Sequence, residues 1–135
     1  YVSLCNECME TCLTLFGRGV RIAKMDAIAV LVTTSSEEEA TRLGKLLVEQ
    51  QLVACVNILP KMKSIFWWEG QVSEEEECLM ILKTRMPIFK ALEKTIIAQH
   101  SYEVPEIIAL PIGTGSQPYL SWVYDMTRTN IDHNE

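Results

Sequence analysis

Blocks of hydrophobic and polar positions along the chain predict an alternating series of strands and helices. A continuous apolar, β-branched run at 27–34 predicts a buried strand. The segment Ser35-Ser36-Glu37-Glu38-Glu39 follows and supplies a helix N-cap with a glutamate three residues further on, which is the pattern of a capping box. One apolar stripe with outward-facing charges then predicts a helix that extends to about residue 51.

The middle of the chain has the pattern of a long β-hairpin. A second strand is predicted at 52–59, and Pro60 is expected to stop it or to form a bulge. Residues 63–68 continue in extended form, and Glu69-Gly70 is a candidate tight turn. A third strand is predicted to follow at 71–85.

The last third of the chain predicts a helix, a strand and a short terminal helix. Pro87 suits the first turn of a helix that runs to His100. Residues 106–112 predict a fourth strand, and a glycine-rich loop then leads into a helix at 118–123. The element order βαββαβα predicts an α+β, ferredoxin-like sandwich with both crossover helices on one face of the sheet.

Two of the predicted strands are apolar at every position, which is unusual for a sheet that is covered on one side only. The runs at 27–32 and 78–82 show this pattern. One short terminal helix is too small to cover the second face of the sheet. We therefore predict that another copy of the chain covers it, in a homo-oligomer.

Composition and charge restrict the class of protein further. The 135 residues are 48% hydrophobic and 22% charged, which fits one globular domain. The net charge of −6 disfavours binding to nucleic acid or to an anionic membrane and favours cations. No apolar run is long enough to span a bilayer. We predict a domain at 25–130, an N-terminal extension at 1–24 outside it, and a polar tail at 131–135.

The five cysteines do not have the spacing of a disulfide framework. Cys55 and Cys78 each lie in an apolar run, where a free thiol behaves as a small buried hydrophobe. Cys5, Cys8 and Cys12 lie in the extension, and the CxxC spacing of the first two lacks a second pair. We expect a reducing, cytoplasmic compartment.

Five segments of the sequence, in the right order and spacing, closely resemble the CutA divalent-cation tolerance proteins over residues 27–126. The resemblance implies a ferredoxin-like fold, a tight homotrimer whose long hairpins pack sheet against sheet, and an association with copper or other divalent ions. It implies no established catalytic reaction. The segments are Ala54-Cys55-Val56-Asn57-Ile58, Ser64-Ile65-Phe66-Trp67-Trp68-Glu69-Gly70, Ile81-Leu82-Lys83-Thr84, His100-Ser101-Tyr102-Glu103-Val104-Pro105-Glu106-Ile107 and Pro118-Tyr119-Leu120-Ser121-Trp122.

His100, Glu103 and Glu106 are the candidate metal ligands. An imidazole nitrogen suits Cu(II), and the carboxylates three and six residues later supply oxygens, with Tyr102 directly before the first of them. Some CutA proteins have a second histidine before this one and a cysteine late in the first strand, where this chain has Gln99 and Val32. Copper binding is therefore expected to be weak. A plain capping role for His100 at a helix C-terminus, where the dipole favours a cation, is the alternative.

The remaining candidates are better explained by structure than by chemistry. Cys55 is a weaker copper ligand, because forming a thiolate among apolar neighbours is costly. The run at 74–77 predicts a solvated segment of the hairpin, and Trp67 and Trp68 suit interface packing.

No nucleophile–base pair or carboxylate dyad stands at a recognisable spacing, which argues against an enzyme. Two functions stay open: a trimeric metal-response protein, and a trimeric regulatory module that binds a small metabolite in the clefts between subunits.

Overall fold

A computed structural model of the protein describes residues 26–127. The predicted extension at 1–24, with Cys5, Cys8 and Cys12, and the tail at 131–135, with His133, lie outside the described residues. Four strands and three α-helices follow one another in the predicted order. They are β1 (Ala27–Thr34), α1 (Glu37–Glu49), β2 (Cys55–Trp68), β3 (Gln71–Arg85), α2 (Phe89–Gln99, after a 3-10 turn at Met86–Ile88), β4 (Ile107–Pro111) and α3 (Gln117–Met126).

The strands form one sheet in the order β2-β3-β1-β4, and each pair of neighbours is antiparallel. This order is the one that two βαβ units produce when each crossover helix packs on the same face of the sheet. The predicted ferredoxin-like α+β fold is therefore confirmed. Between Asp26 and Thr127, none of the helices has the length and apolar character needed to cross a membrane.

The core lies between α1, α2 and one face of the sheet, which we call the helix face. Side chains of β1 alternate strictly between buried and half-buried positions, as expected for a strand with one face in the core. Long apolar side chains fill this layer with almost no exposure. They include Val30 and Val32 of β1, Leu43 and Leu47 of α1, Met80 and Leu82 of β3, and Leu92 and Ile96 of α2.

Within residues 26–127, α3 covers one end of the opposite side of the sheet, which we call the open face. Arg85 is buried there: its Nε donates to Thr127 Oγ1 at 3.2 Å and its Nη2 donates to the Thr127 carbonyl at 3.1 Å. The guanidinium also lies 4.3 Å from the centre of the Tyr124 ring. Away from α3, apolar side chains of the open face meet solvent, among them Leu59, Ile108 and Leu110 at 45–47% exposure.

The second strand differs from its predicted bounds. It begins at Cys55 instead of Leu52, because Leu52 and Val53 are buried in the connection that leads from α1 to the sheet. The Leu52 carbonyl accepts a hydrogen bond from Thr84 Oγ1 at 2.7 Å, which fixes that connection against β3. The predicted bulge at Pro60 is confirmed. The register shifts between Leu59 and Met62, and Lys61 adopts a left-handed conformation with φ of 59°.

Candidate functional site

His100 is the residue at which α2 ends. Its ring links that end of the helix to the C-terminal end of β1. Nε2 lies 2.7 Å from the Thr33 carbonyl oxygen, and Nδ1 accepts a hydrogen bond from the Tyr102 backbone N–H at 2.9 Å. Because Nδ1 accepts, the proton of the neutral ring is on Nε2, which donates to Thr33. Both ring nitrogens are therefore occupied within the chain. The histidine anchors the loop between α2 and β4.

Glu39, in the first turn of α1, holds the same loop from the other side. Ser36 Oγ accepts from the Glu39 backbone N–H at 3.1 Å, as the predicted capping box requires. The Glu39 carboxylate, however, accepts from the Ser101 backbone N–H at 2.9 Å. Burial raises the pKa of this carboxyl, but the hydrogen bonds from Ser101 outweigh burial, so its pKa is lowered. Glu39 is therefore an anion beside the imidazole.

Tyr102 ties the loop to the hairpin. Its hydroxyl donates to Glu77 Oε2 at 2.9 Å, and Glu77 is only 9% exposed. Burial and the hydrogen bond to Glu77 raise the pKa of Tyr102 to about 12, so the phenol stays protonated at neutral pH. The prediction that residues 74–77 form a solvated segment is therefore right for the first three glutamates and wrong for Glu77. The loop folds across the end of β1 and covers it.

Glu103 and Glu106, the two predicted carboxylate ligands, are exposed to solvent. From residue 26 to residue 127, no three side chains of His, Cys, Asp or Glu are grouped closely enough to hold a metal ion within one chain. The metal site at His100, Glu103 and Glu106 stays a prediction. The carboxylate that the structure does bring beside the imidazole is Glu39, which sequence reasoning assigned only to helix capping.

A second polar cluster lies on the open face near α3. Cys55 Sγ lies 3.5 Å from the Tyr119 hydroxyl, and Lys83 Nζ donates to Asn57 Oδ1. The hydrogen bond to Cys55 and burial raise the pKa of Tyr119 to about 12. Cys55 and Cys78 are free thiols; Cys78 is buried as predicted, whereas Cys55 is only half-buried.

The antiparallel order β2-β3-β1-β4, with α1 and α2 on one face, places the chain in the class of ferredoxin-like α+β domains. Within that class, residues 28–126 match the sequence profile of the family described as CutA1 divalent ion tolerance protein. The chain belongs to this family.

Two relatives show how the match is distributed. The divalent-cation tolerance protein CutA of Thermus thermophilus is 47% identical over 98 residues, which cover 73% of this chain and 95% of that protein. The rice protein named CutA 1, chloroplastic, is 44% identical over 102 residues, which cover 76% of this chain and 58% of the rice protein. The chain thus spans little more than half of the rice relative.

Solved structures share the fold at similar identity. The divalent cation tolerance protein of Thermus thermophilus superposes with a TM-score of 0.74 at 45% identity, covering 76% of this chain and 99% of that one. The periplasmic divalent cation tolerance protein CutA of Archaeoglobus fulgidus gives a TM-score of 0.74 at 41% identity, with 76% and 99% covered.

Proposed function

We propose that the chain is a divalent-cation tolerance protein that assembles as a homotrimer and binds Cu(II) or a similar ion, without a catalytic reaction. Membership in the CutA1 family supports the role in divalent-cation tolerance. The net charge of −6 favours cations near the surface. The observation that carries the proposal is that one domain combines an open apolar sheet face with the His100 imidazole, which has the Glu39 carboxylate near it.

The open face and the hairpin support assembly. Ile108 and Leu110 lie about half exposed on the open face, next to apolar neighbours in β1. A contiguous apolar surface of this kind is typical of an interface between proteins. Beyond the bulge, the hairpin carries large apolar side chains on both of its faces, and within residues 26–127 no helix covers them: Ile65, Trp67 and Val72 on one face, and Phe66 and Trp68 on the other. A second copy covers such a two-sided ribbon, and the family resemblance gives three copies.

The chemistry of His100 supports a role in cation binding. Imidazole nitrogen outranks carboxylate oxygen as a ligand for Cu(II), and His100 is the one histidine within residues 26–127. Both of its nitrogens carry hydrogen bonds, so a bound ion displaces one of them, at a cost of about 0.5–1.5 kcal/mol. Nδ1 is the nitrogen whose partner, the Tyr102 backbone N–H, can turn to water instead. Exposed Glu103 and Glu106, from this chain and a neighbouring one, supply oxygen ligands.

We also propose a reducing, cytoplasmic compartment, which the two free thiols Cys55 and Cys78 support. The names of related proteins include a chloroplastic rice protein and a periplasmic one from Archaeoglobus fulgidus. The compartment thus differs among members of the family. Fractionation of cells that produce the full-length protein tests this part of the proposal, and recovery in an oxidising compartment would contradict it.

Calorimetric titration of the full chain with Cu(II), followed by electron paramagnetic resonance, tests the cation site. His100→Gln keeps an amide that donates to the Thr33 carbonyl but removes the imidazole. We expect this variant to lose most of the Cu(II) uptake and the nitrogen hyperfine splitting. His133→Gln and Cys55→Ser, the matched controls, are expected to keep both.

The carboxylates are tested in the same titration. We expect the double variant Glu103→Gln, Glu106→Gln to bind Cu(II) more weakly, whereas Glu74→Gln, an exposed glutamate of the hairpin, binds as the wild type does. Equal Cu(II) binding by the wild type and by His100→Gln at the same pH would defeat the proposed site. That result would favour the other function, in which a small metabolite binds between subunits.

A further inference from the structure

A polar cluster interrupts the open face near the end of β1 that lies away from His100. The strand register pairs Cys55 with Lys83 and Lys83 with Ala29, so these side chains lie on the open face beside the start of β1. Asn57 lies on the same face two residues after Cys55, and its amide oxygen accepts from Lys83 Nζ. The apolar residues around the cluster include Leu59 and Ile81.

The two cations that β3 places on this face differ in what surrounds them. Arg85 is buried under α3, with hydrogen bonds to Thr127 and a stacking contact with Tyr124. Lys83 is half-buried, and its hydrogen bond goes to a neutral amide. Among residues 26–127, no carboxylate forms a salt bridge with it. An ammonium group that loses more of its water without a counter-charge is strongly destabilised. Once another chain covers the surrounding apolar face, Lys83 needs a counter-charge, which a bound anion supplies.

Tyr119 of α3 contacts Cys55, the strand partner of Lys83, and Trp122 lies beside Tyr119, so the two rings form an aromatic wall. Tyr119 and Trp122 lie with their ring centres 5.7 Å apart, and both are about 40% exposed. The hydrogen bond between Tyr119 and Cys55 holds the wall against β2. A tyrosine phenol is uncharged at neutral pH, so the ring does not repel an anion.

We propose that Lys83, Asn57 and the Tyr119–Trp122 pair form a binding site for a small organic carboxylate that has a flat apolar body. The carboxylate pairs with Lys83 Nζ, and the body packs on the two rings, which is the usual division between polar anchor and apolar wall in a small-molecule site. The inference rests on the assembly proposed above, which covers the face around Lys83. It does not involve His100 or the bound cation.

Saturation-transfer NMR on the full chain, with benzoate as the probe, tests the site. We expect saturation to pass from the protein to benzoate, and the dissociation constant to rise roughly tenfold or more in Lys83→Met, since a charge-assisted bond is lost. Lys90→Met is the matched control, because Lys90 is an exposed lysine on α2, at the other side of the sheet. Benzyl alcohol, which has the same ring and no charge, is expected to bind the wild type more weakly than benzoate.

Equal benzoate affinity in the wild type and in Lys83→Met, or no transfer to benzoate in the wild type, would overturn the carboxylate site. Circular dichroism verifies that both lysine variants are folded. Light scattering and Cu(II) titration of the same samples show whether the carboxylate site alone is wrong or whether the proposed trimeric, Cu(II)-binding function is wrong as well. A trimer that binds Cu(II) but not benzoate contradicts only the carboxylate site, whereas a monomer contradicts the assembly.

Discussion

The Tyr102 hydroxyl donates a 2.9 Å hydrogen bond to Glu77, and this bond joins the loop after α2 to the base of the long hairpin. Glu77 is 9% exposed, so its carboxylate depends on this partner in place of water. Two residues before Tyr102, His100 binds the end of β1, and Ser101 between them binds Glu39 of α1. Three consecutive loop residues therefore form hydrogen bonds with three different elements, β1, α1 and β3, at one end of the sheet.

Removing the Tyr102 hydroxyl should destabilise the protein. In Tyr102→Phe, the buried Glu77 carboxylate loses its donor, so we expect the free energy of unfolding to fall by about 1–3 kcal/mol. Denaturant unfolding of the wild type, Tyr102→Phe, Glu77→Gln and the double variant measures the coupling between the two side chains. Additive effects of the two substitutions would show that the bond does not contribute to stability.

Alkaline pH should weaken the same contact. The pKa of Tyr102 in the folded chain is raised to about 12, above its ordinary value of 10.0. A group whose pKa is raised by folding contributes stability that is complete below the unfolded pKa and is lost as pH rises through the folded pKa. Stability should therefore decline between about pH 10 and pH 12. Tyr102→Phe, followed by denaturant unfolding across this range, should show a smaller decline; an identical decline would refute the assignment.

Most of the fold was predictable from sequence because it depends on local patterns. The apolar run of β1, the Ser36 cap and Pro87 mark element boundaries that the structure reproduces closely. The start of β2 was not predictable from such patterns, because Leu52 and Val53 are apolar for burial in a connection and not for a place in the sheet.

The site was less predictable, because its contacts join residues that are distant in sequence. His100 binds Thr33, 67 residues away, and Tyr102 binds Glu77, 25 residues away. Neither pairing leaves a signal in local periodicity. The motif Ser36-x-x-Glu39 was visible in the sequence, but it predicts that the glutamate caps its own helix, whereas here the glutamate binds Ser101.

The open face gives a prediction about assembly with a matched control. Ile108 is 45% exposed on the open face, and Ile97 is 50% exposed on α2, so the two differ little within one chain. Ile108→Lys places an unpaired charge in the proposed interface and should shift the protein toward monomer in light scattering. Ile97→Lys should leave the assembly intact. If both variants assemble as the wild type does, the open face is not the interface.

The N-terminal segment should be dispensable for folding and assembly. Residues 26–127 already provide the four strands and three helices that surround the core. A shortened chain that begins at Met25 is therefore expected to keep the melting temperature and the oligomeric state of the full chain. Differential scanning calorimetry and light scattering measure these two properties. A large drop in melting temperature would show that residues 1–24 stabilise the domain.

Native mass spectrometry of the full chain in the presence of Cu(II) tests the central claim most directly, because one spectrum reports both assembly and metal content. We predict a trimer mass with bound copper for the wild type, and a trimer mass with most of the copper lost for His100→Gln. A monomer in the wild type, or equal copper on both trimers, would contradict the account of a trimeric protein that binds its cation at His100.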